Sequence, residues 1–181
     1  MRTPPRGAAP VRVFTIGHGT RAAAQFVAAL ADAGVGALVD VRRFPSSRRN
    51  PQFHQAALVE VLARAGIEYM HAVELGGRRS GEPGEERFSC VETAAFRSYA
   101  ARMGTPVWED ALAAALTRPV PCFMCAETLW WRCHRRLIAE LLVARGYDVV
   151  HLLGGRDVRH RLMDGAEVRA GRLYLCGQLV A

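Results

Sequence analysis

Short apolar segments rich in β-branched residues alternate with longer segments of helical periodicity along most of this chain, and glycines separate many of them. The strand-like segments are 11–16, 37–41, 67–70, 120–125 and 147–153, and the helix-like segments are 21–33, 51–65, 93–103, 106–116 and 129–145. Strands that alternate with helices form a mostly parallel sheet, because each crossover packs a helix against one of its faces. The sequence therefore predicts an α/β fold of the Rossmann-like, three-layer kind, followed by a small C-terminal hairpin at Ala170-Gly171.

Small polar residues mark the expected helix starts. Thr20, Asn50 and Thr128 each precede a helix-like segment, and their side-chain oxygens are suited to accept a hydrogen bond from the first helical turn. Pro51 directly after Asn50 strengthens the second of these signals. We expect helices to begin immediately after these three residues.

Length and composition restrict the architecture and the surroundings of the protein. The 181 residues, half of them apolar, suffice for one domain, which we expect over 11–181 after a flexible tail over 1–10. No apolar run reaches the roughly 18 residues that cross a membrane. Five cysteines, an odd number in a chain without a signal-like segment, predict free thiols, no disulfide and a reducing, cytoplasmic compartment.

The net charge is +7, and all of its basic residues are arginines. The absence of lysine is typical of a genome rich in G and C, so composition alone does not demonstrate phosphate recognition. The arginines are nevertheless clustered, at 42, 43, 48 and 49, at 78 and 79, and at 132, 135 and 136. The planar guanidinium group matches the geometry of phosphate and carboxylate groups. The positive potential of clustered arginines attracts anions, from nucleotides to nucleic acid.

Polar residues follow nearly every predicted strand. In open α/β sheets, ligands bind just beyond the carboxyl ends of the strands. At those ends stand His18, Asp40, Arg42, Tyr69, His71, Gly76, Gly77, Cys125, Glu127 and His151. The sequence therefore predicts a shared cleft at this edge, although each residue also has a structural explanation. His18 between two glycines suits a turn, Asp40 and Arg42 suit an ion pair, and packing is favoured for Tyr69 and His71.

The segment MCAETLWWRCHRR (124–136) concentrates cysteine and histidine. Cys122, Cys125, Cys133 and His134 suggest a zinc site, but Cys122 and Cys125 lie three apart on a strand and so face opposite sides of the sheet. We therefore assign no metal and no cofactor. Cys133 and His134 fall on the inner stripe of the following helix near its start, where the helix dipole favours a thiolate.

Four segments, TIGHG (15–19), LVDVRRFPSSRRNPQFH (38–54), GIEYMHAVELGGRR (66–79) and MCAETLWWRCHRR (124–136), resemble the domain of unknown function family 488. The resemblance extends from about Val11 to Leu153. It implies a small α/β protein and supplies no reaction. The signature positions that it implies are His18, Asp40, Arg42, Pro45, Gly76, Gly77, Cys125, Glu127, Cys133, His134 and Arg135. Gly19 departs from the serine that is common in the family.

These residues are compatible with three functions. The first is an enzyme that acts on a phosphate-bearing substrate, with Asp40, Arg42, Gly76, Gly77 and Arg135 binding it. In that interpretation Glu127 or His18 transfers protons. Cys125 or Cys133 is the nucleophile, with a thiolate that His134 and the helix start favour. The second is a non-catalytic nucleic-acid-binding module, and the third is a thiol-based or metal-dependent enzyme. The expected partner is an anionic small molecule or nucleic acid rather than a membrane, and the oligomeric state stays open.

Overall fold

A computed structural model describes residues 10–78 and 80–181 of the chain. The flexible tail expected over 1–10 therefore lies, apart from Pro10, outside the described residues, as does Arg79.

A six-stranded sheet forms the centre of the described chain. Its strands are β1 (Arg12–Gly17), β2 (Ala37–Asp40), β3 (Glu68–His71), β4 (Pro121–Cys125), β5 (Asp148–Leu152) and β6 (Val158–Arg159). The spatial order is β3-β2-β4-β1-β5-β6, in which the first five strands are parallel and β6 runs antiparallel to β5. The carboxyl ends of the five parallel strands consequently meet at one edge, as the sequence predicts.

Helices cover both faces of this sheet. They are α1 (Ala23–Asp32), α2 (Gln55–Arg64), α3 (Ala94–Met103), α4 (Pro106–Leu116) and α5 (Arg135–Ala144). The inner residues of α1 and α2 share one core cluster, and those of α3, α4 and α5 share the other. The predicted α/β fold with helices on both faces is confirmed. Among the described residues, no helix has the length and apolarity needed to cross a membrane.

The alternation of side chains along β4 divides its residues between the two cores. Cys122 and Met124 pack with α1 and α2, whereas Phe123 and Cys125 pack with the opposite helices. This confirms that Cys122 and Cys125 face opposite sides of the sheet, because successive side chains on a strand alternate. Of these two cysteines, only Cys125 therefore faces the side of the sheet that α5 covers.

The expected helix starts at Thr20 and Thr128 are wrong. Helix α1 begins after Ala22, and α5 begins only at Arg135, after a 3₁₀ turn at Trp130–Arg132. The reason for the later start of α5 is tertiary: the backbone N–H groups of His18 and Gly19 donate to the carbonyl oxygens of Cys125 and Ala126 at 3.0 and 3.1 Å. This pairing extends the chain beyond β4 before it turns into the helix.

The second helix also starts late. Asn50 precedes a 3₁₀ turn at Pro51–Phe53 rather than α2 itself, and its side chain makes no capping hydrogen bond. His54 is extended and separates the turn from α2, and Phe53 at the end of the turn is buried in the core.

A small antiparallel sheet follows at the C-terminal side, with strands β7 (Ala166–Arg169), β8 (Arg172–Leu175) and β9 (Gln178–Leu179). The predicted hairpin at Ala170-Gly171 is confirmed. Both residues have positive φ, 49° and 76°, as a tight two-residue hairpin turn requires. Leu173 and Leu175 on β8 are buried in the same core as α5.

The expectation of five free thiols is wrong. Cys90 and Cys176 form a disulfide, and the free cysteines are Cys122, Cys125 and Cys133. The two bonded residues are 86 positions apart, and they meet because the turn after β8 lies against the segment that precedes α3. Sequence spacing contains no signal of such a contact.

Candidate functional site

A cavity of about 610 Å³ opens at the carboxyl edge of the parallel strands. The predicted site residues that line it are Arg42, Gly77, Cys125, Glu127, Cys133 and His134. The remaining four, His18, Asp40, Gly76 and Arg135, do not line it and lie behind its wall. A second cavity of about 650 Å³ lies between α4, α5 and the C-terminal sheet, and no predicted site residue lines it.

Two cysteines form the floor of the cleft. Cys125 is the last residue of β4, and Cys133 stands in extended conformation just before α5. Their Sγ atoms are 3.0 Å apart, and the two residues are only 3% and 9% exposed. The pair arises from the late start of α5, because the intervening loop returns Cys133 to the end of β4.

Arg135 lies directly beneath the two sulfurs and is 1% exposed. Its Nε donates to Sγ of Cys125 at 3.0 Å and to Sγ of Cys133 at 3.2 Å, and its backbone N–H donates to Cys133 at 3.4 Å. Its Nη2 contacts the backbone carbonyl oxygens of Glu127 and Thr128 rather than the Glu127 carboxylate. The guanidinium therefore holds the loop and the sulfurs together.

These contacts divide the two cysteines into a thiolate and a thiol. Burial raises the pKa of Cys133, but the hydrogen bond from Cys125 and the charge of Arg135 outweigh it and lower that pKa to about 6. Burial and the hydrogen bond to Cys133 raise the pKa of Cys125 well above its ordinary value. The directions of the two shifts favour a thiolate at Cys133, with Cys125 as its hydrogen-bond donor.

Asp40 and Arg42 form a buried ion pair at the end of β2. Arg42 Nε lies 2.9 Å from Oδ1 and Nη2 lies 2.6 Å from Oδ2 of Asp40, which also accepts from the hydroxyl of Tyr69 at 2.8 Å. Arg42 Nη1 donates to the carbonyl oxygen of Phe53 at 2.9 Å. Asp40 is therefore saturated with donors, and it fixes the guanidinium that reaches the cleft.

His18 supports Arg42 from behind. Its Nδ1 donates to the carbonyl oxygen of Gly19 at 2.9 Å, so Nε2 is left to accept from Arg42 Nη1 at 3.4 Å. The ring stacks on Phe53 with centroids 4.3 Å apart. Burial lowers the pKa of His18, and the Arg42 charge adds to that effect, so the ring is neutral at pH 7. These contacts orient the Arg42 side chain.

His134 lines the cleft as a neutral imidazole. Its Nε2 donates to the carbonyl oxygen of Val41 at 3.1 Å, and burial together with the Arg135 charge lowers its pKa to about 4. A Cβ at Gly77 would lie 2.5 Å from His134 Nδ1, and one at Gly76 would lie 2.8 Å from the carbonyl oxygen of Val73. The two glycines are therefore required by close packing of this wall.

The rim of the cleft is basic, as the clustered arginines of the sequence indicate, and it is also partly aromatic, which no sequence pattern indicates. The Arg43 guanidinium lies 5.4 Å from the ring centroid of Phe44, which is 59% exposed. Arg48 and Arg132 are exposed and also line the cavity. The arginine clustering in the sequence was the usable signal, whereas a lone phenylalanine in a loop gave none.

A buried polar chain lies behind Arg135. Arg135 Nη1 donates to the Thr15 hydroxyl at 3.3 Å, and that hydroxyl lies 2.7 Å from Nδ1 of His151. His151 Nε2 lies 2.9 Å from Nδ1 of His160, whose Nε2 faces the buried Glu140 at 3.3 Å. His151, the polar end of the fifth strand, thus belongs to the support of Arg135 and does not line the cleft.

In the described part of the chain, no group of three or more histidine, cysteine, aspartate or glutamate side chains is placed to hold a metal ion. The four-ligand zinc arrangement fails geometrically because Cys122 packs in the core on the other face of the sheet.

No curated protein and no solved structure matches the chain. The family described as domain of unknown function DUF488 matches residues 22–142, well over half of the chain. This range includes the Asp40–Arg42 pair and the whole loop from Cys125 to Arg135, while the TIGHG segment lies outside it. The chain therefore belongs to the DUF488 family, as the resemblance of its four segments indicated.

Proposed function

We propose that this protein is an enzyme that acts on a phosphate-bearing substrate, with the Cys133 thiolate as its nucleophile. The observation that carries this proposal is the position of the Cys133 sulfur. Cys133 is one of the two cysteines on the floor of the cleft, and Arg135 and Cys125 contact its sulfur and stabilise negative charge on it. A thiolate of lowered pKa beside a cationic group is a nucleophile at neutral pH.

In the proposed reaction, Cys133 is the nucleophile and Glu127 transfers the protons. The Cys133 sulfur forms a bond to phosphorus, and the ester oxygen departs with a proton from the Glu127 carboxyl group. Water then displaces the sulfur, and Glu127 takes up a proton from that water. Glu127 is the acidic residue that lines the same cavity as Cys133, and a general acid or base must lie within reach of the proton that it transfers.

The arginines of the cleft wall and rim bind the phosphate group of the substrate. Arg43, Arg48 and Arg132 are exposed and line the cavity, and guanidinium forks bind phosphate with charge-assisted hydrogen bonds. Arg42 also lines it, with its Nε and Nη2 already donating to Asp40. The assignment of Arg135 to the substrate stays a prediction. Its burial beneath the sulfurs supports a positioning role instead.

The rim favours a nucleotide as the source of the phosphate. Phe44 presents an exposed aromatic face at the mouth of the cleft, with Arg43 beside it. Base–aromatic stacking contributes about 1–3 kcal/mol per base. A nucleotide would place its base on Phe44 and its phosphate among the arginines.

The test is phosphate release from nucleoside monophosphates and from p-nitrophenyl phosphate by four proteins. These are wild type, Cys133→Ser, Phe44→Ala and the matched control Cys122→Ser, which alters a buried cysteine on the opposite face. We expect Cys133→Ser to abolish turnover and Cys122→Ser to retain it. Phe44→Ala should raise KM for the nucleotide with little effect on the aryl phosphate.

The nucleic-acid-binding alternative predicts a different outcome for the same proteins. Single-stranded nucleic acid would bind with an affinity that falls steeply with salt, and Cys133→Ser would leave that affinity unchanged. A wild-type protein that releases no phosphate from any of these substrates, or a Cys133→Ser variant with full turnover, would contradict the enzymatic proposal.

A further inference from the structure

We propose that Cys125 and Cys133 are a reversible dithiol–disulfide couple, in which Cys125 captures Cys133 after its oxidation by a hydroperoxide. The site would then be switched off in a recoverable form. The consequence for turnover rests on the proposed function, whereas formation of the disulfide does not.

The two sulfur atoms already lie close to the separation that they would have in a disulfide. Their separation of 3.0 Å must shrink by about 1 Å to reach the length of an S–S bond. Cys133 lies between the 3₁₀ turn and α5, in neither element, so a local rotation suffices and no helix has to unwind. Cys125 is held at the end of a central strand.

The other cysteines cannot replace Cys125. Cys122 is fully buried on the opposite face of the sheet, and Cys90 and Cys176 are already bonded to each other. Among the free cysteines, only Cys125 and Cys133 therefore share a cleft that a small oxidant can enter.

Disulfide formation takes place in two steps. The Cys133 thiolate attacks the peroxide, an S–O bond forms, the O–O bond breaks and the departing oxygen takes a proton, which leaves a sulfenic acid. The Cys125 thiol then attacks the Cys133 sulfur, an S–S bond forms, and the S–O bond breaks with release of water. An added dithiol reduces the disulfide by exchange and restores both thiols.

Arg135 serves both steps from one position. Its Nε contacts both sulfurs, so it stabilises the thiolate of Cys133 before oxidation and the charge that develops on Cys125 as its proton leaves. Rapid capture by Cys125 would prevent further oxidation of Cys133 to the sulfinic acid, which dithiols do not reverse.

Peptide mapping tests the couple without any need for turnover. The full chain is treated with hydrogen peroxide, alkylated without reductant and digested with trypsin. Cleavage after Arg132 separates Cys133 from Cys125, so a disulfide between them joins two peptides. We expect the joined peptides in wild type, whose upstream peptide contains both Cys122 and Cys125. We expect them in Cys122→Ser as well, in which Cys125 is the only cysteine of that peptide. Dithiothreitol should separate them.

Cys125→Ser provides the complementary result. Peroxide should leave its Cys133 as a sulfenic acid that dimedone traps, followed by sulfinic acid that dithiothreitol does not restore. Wild-type protein that accumulates sulfinic acid at Cys133 without joined peptides would overturn the proposal, whether or not the variant folds. Joined peptides in a protein without phosphatase turnover would overturn the proposed function and leave the couple intact.

Discussion

At the scale of single residues, the chain buries two arginines, Arg42 and Arg135. Burying a guanidinium is unfavourable unless an anion and hydrogen-bond acceptors accompany it. Arg42 meets the Asp40 carboxylate, with His18 and the Phe53 carbonyl oxygen as further partners. Arg135 meets two sulfurs, and only a thiolate among them supplies the matching charge. The burial of Arg135 therefore favours ionisation of one of the two cysteines, and the lowered pKa of Cys133 indicates that this is Cys133.

The first prediction concerns the pH dependence of Cys133 alkylation. The thiolate is the reactive form, so the rate with iodoacetamide should rise as pH increases through about 6 and then level off. In Arg135→Gln the rise should move toward the ordinary cysteine pKa of 9.0, because the neighbouring charge is lost. Mass spectrometry assigns the label. A wild-type rate that keeps rising up to pH 9 would argue against a thiolate at neutrality.

At the scale of elements, the loop between β4 and α5 builds the site. Its first residues pair with His18 and Gly19, and a Cβ at Gly17 would lie only 2.0 Å from the carbonyl oxygen of Glu127. On the other side, Gly77 admits the His134 ring. Glycines on two separate segments thus allow the loop to approach both, and this approach brings Cys133 to Cys125.

The second prediction tests the contact between Gly77 and His134. Gly77→Ala should destabilise the protein by about 1–3 kcal/mol, because the new methyl group meets the imidazole in a packed wall. The same change in a His134→Ala background should cost much less, because the ring that obstructs it is gone. A double-mutant cycle from urea denaturation measures the difference. Equal costs in the two backgrounds would show that His134 is not the obstacle.

At the scale of the whole molecule, the C-terminal sheet completes one core and provides half of the disulfide. Leu173 and Leu175 pack in the core with α5, and Cys176 at the following turn is bonded to Cys90 ahead of α3. The disulfide thereby joins the C-terminal sheet to the segment that leads into α3. It involves neither of the cysteines that line the cleft.

The third prediction concerns the stability that this disulfide provides. Closing a loop of 86 residues restricts the unfolded chain and should contribute about 4 kcal/mol. Cys90→Ser and Cys176→Ser should therefore lower Tm to the same extent, and the two variants should no longer respond to dithiothreitol. Denatured wild type purified without reductant should show three free thiols. Five free thiols in that assay would contradict the bond.

Much of the fold could be predicted from the sequence, because it depends on short-range patterns. The strand-like runs and helical periodicities correspond to the five parallel strands and five helices, and the turn residues Ala170 and Gly171 marked the hairpin. The alternation of strands and helices also implied that polar residues after the strands gather at one edge. Six of the ten predicted site residues line the cleft there.

Only the tertiary structure decided what each of those residues does. Whether Arg135 faces the cleft or the sulfurs depends on where α5 begins, and that start depends on hydrogen bonds from His18 and Gly19, more than a hundred residues away. The bond between Cys90 and Cys176 depends in the same way on packing between distant segments. Local sequence determines periodicity and turn chemistry, because these involve neighbours along the chain. The partner of a buried charge or thiol is set by segments that meet only after folding.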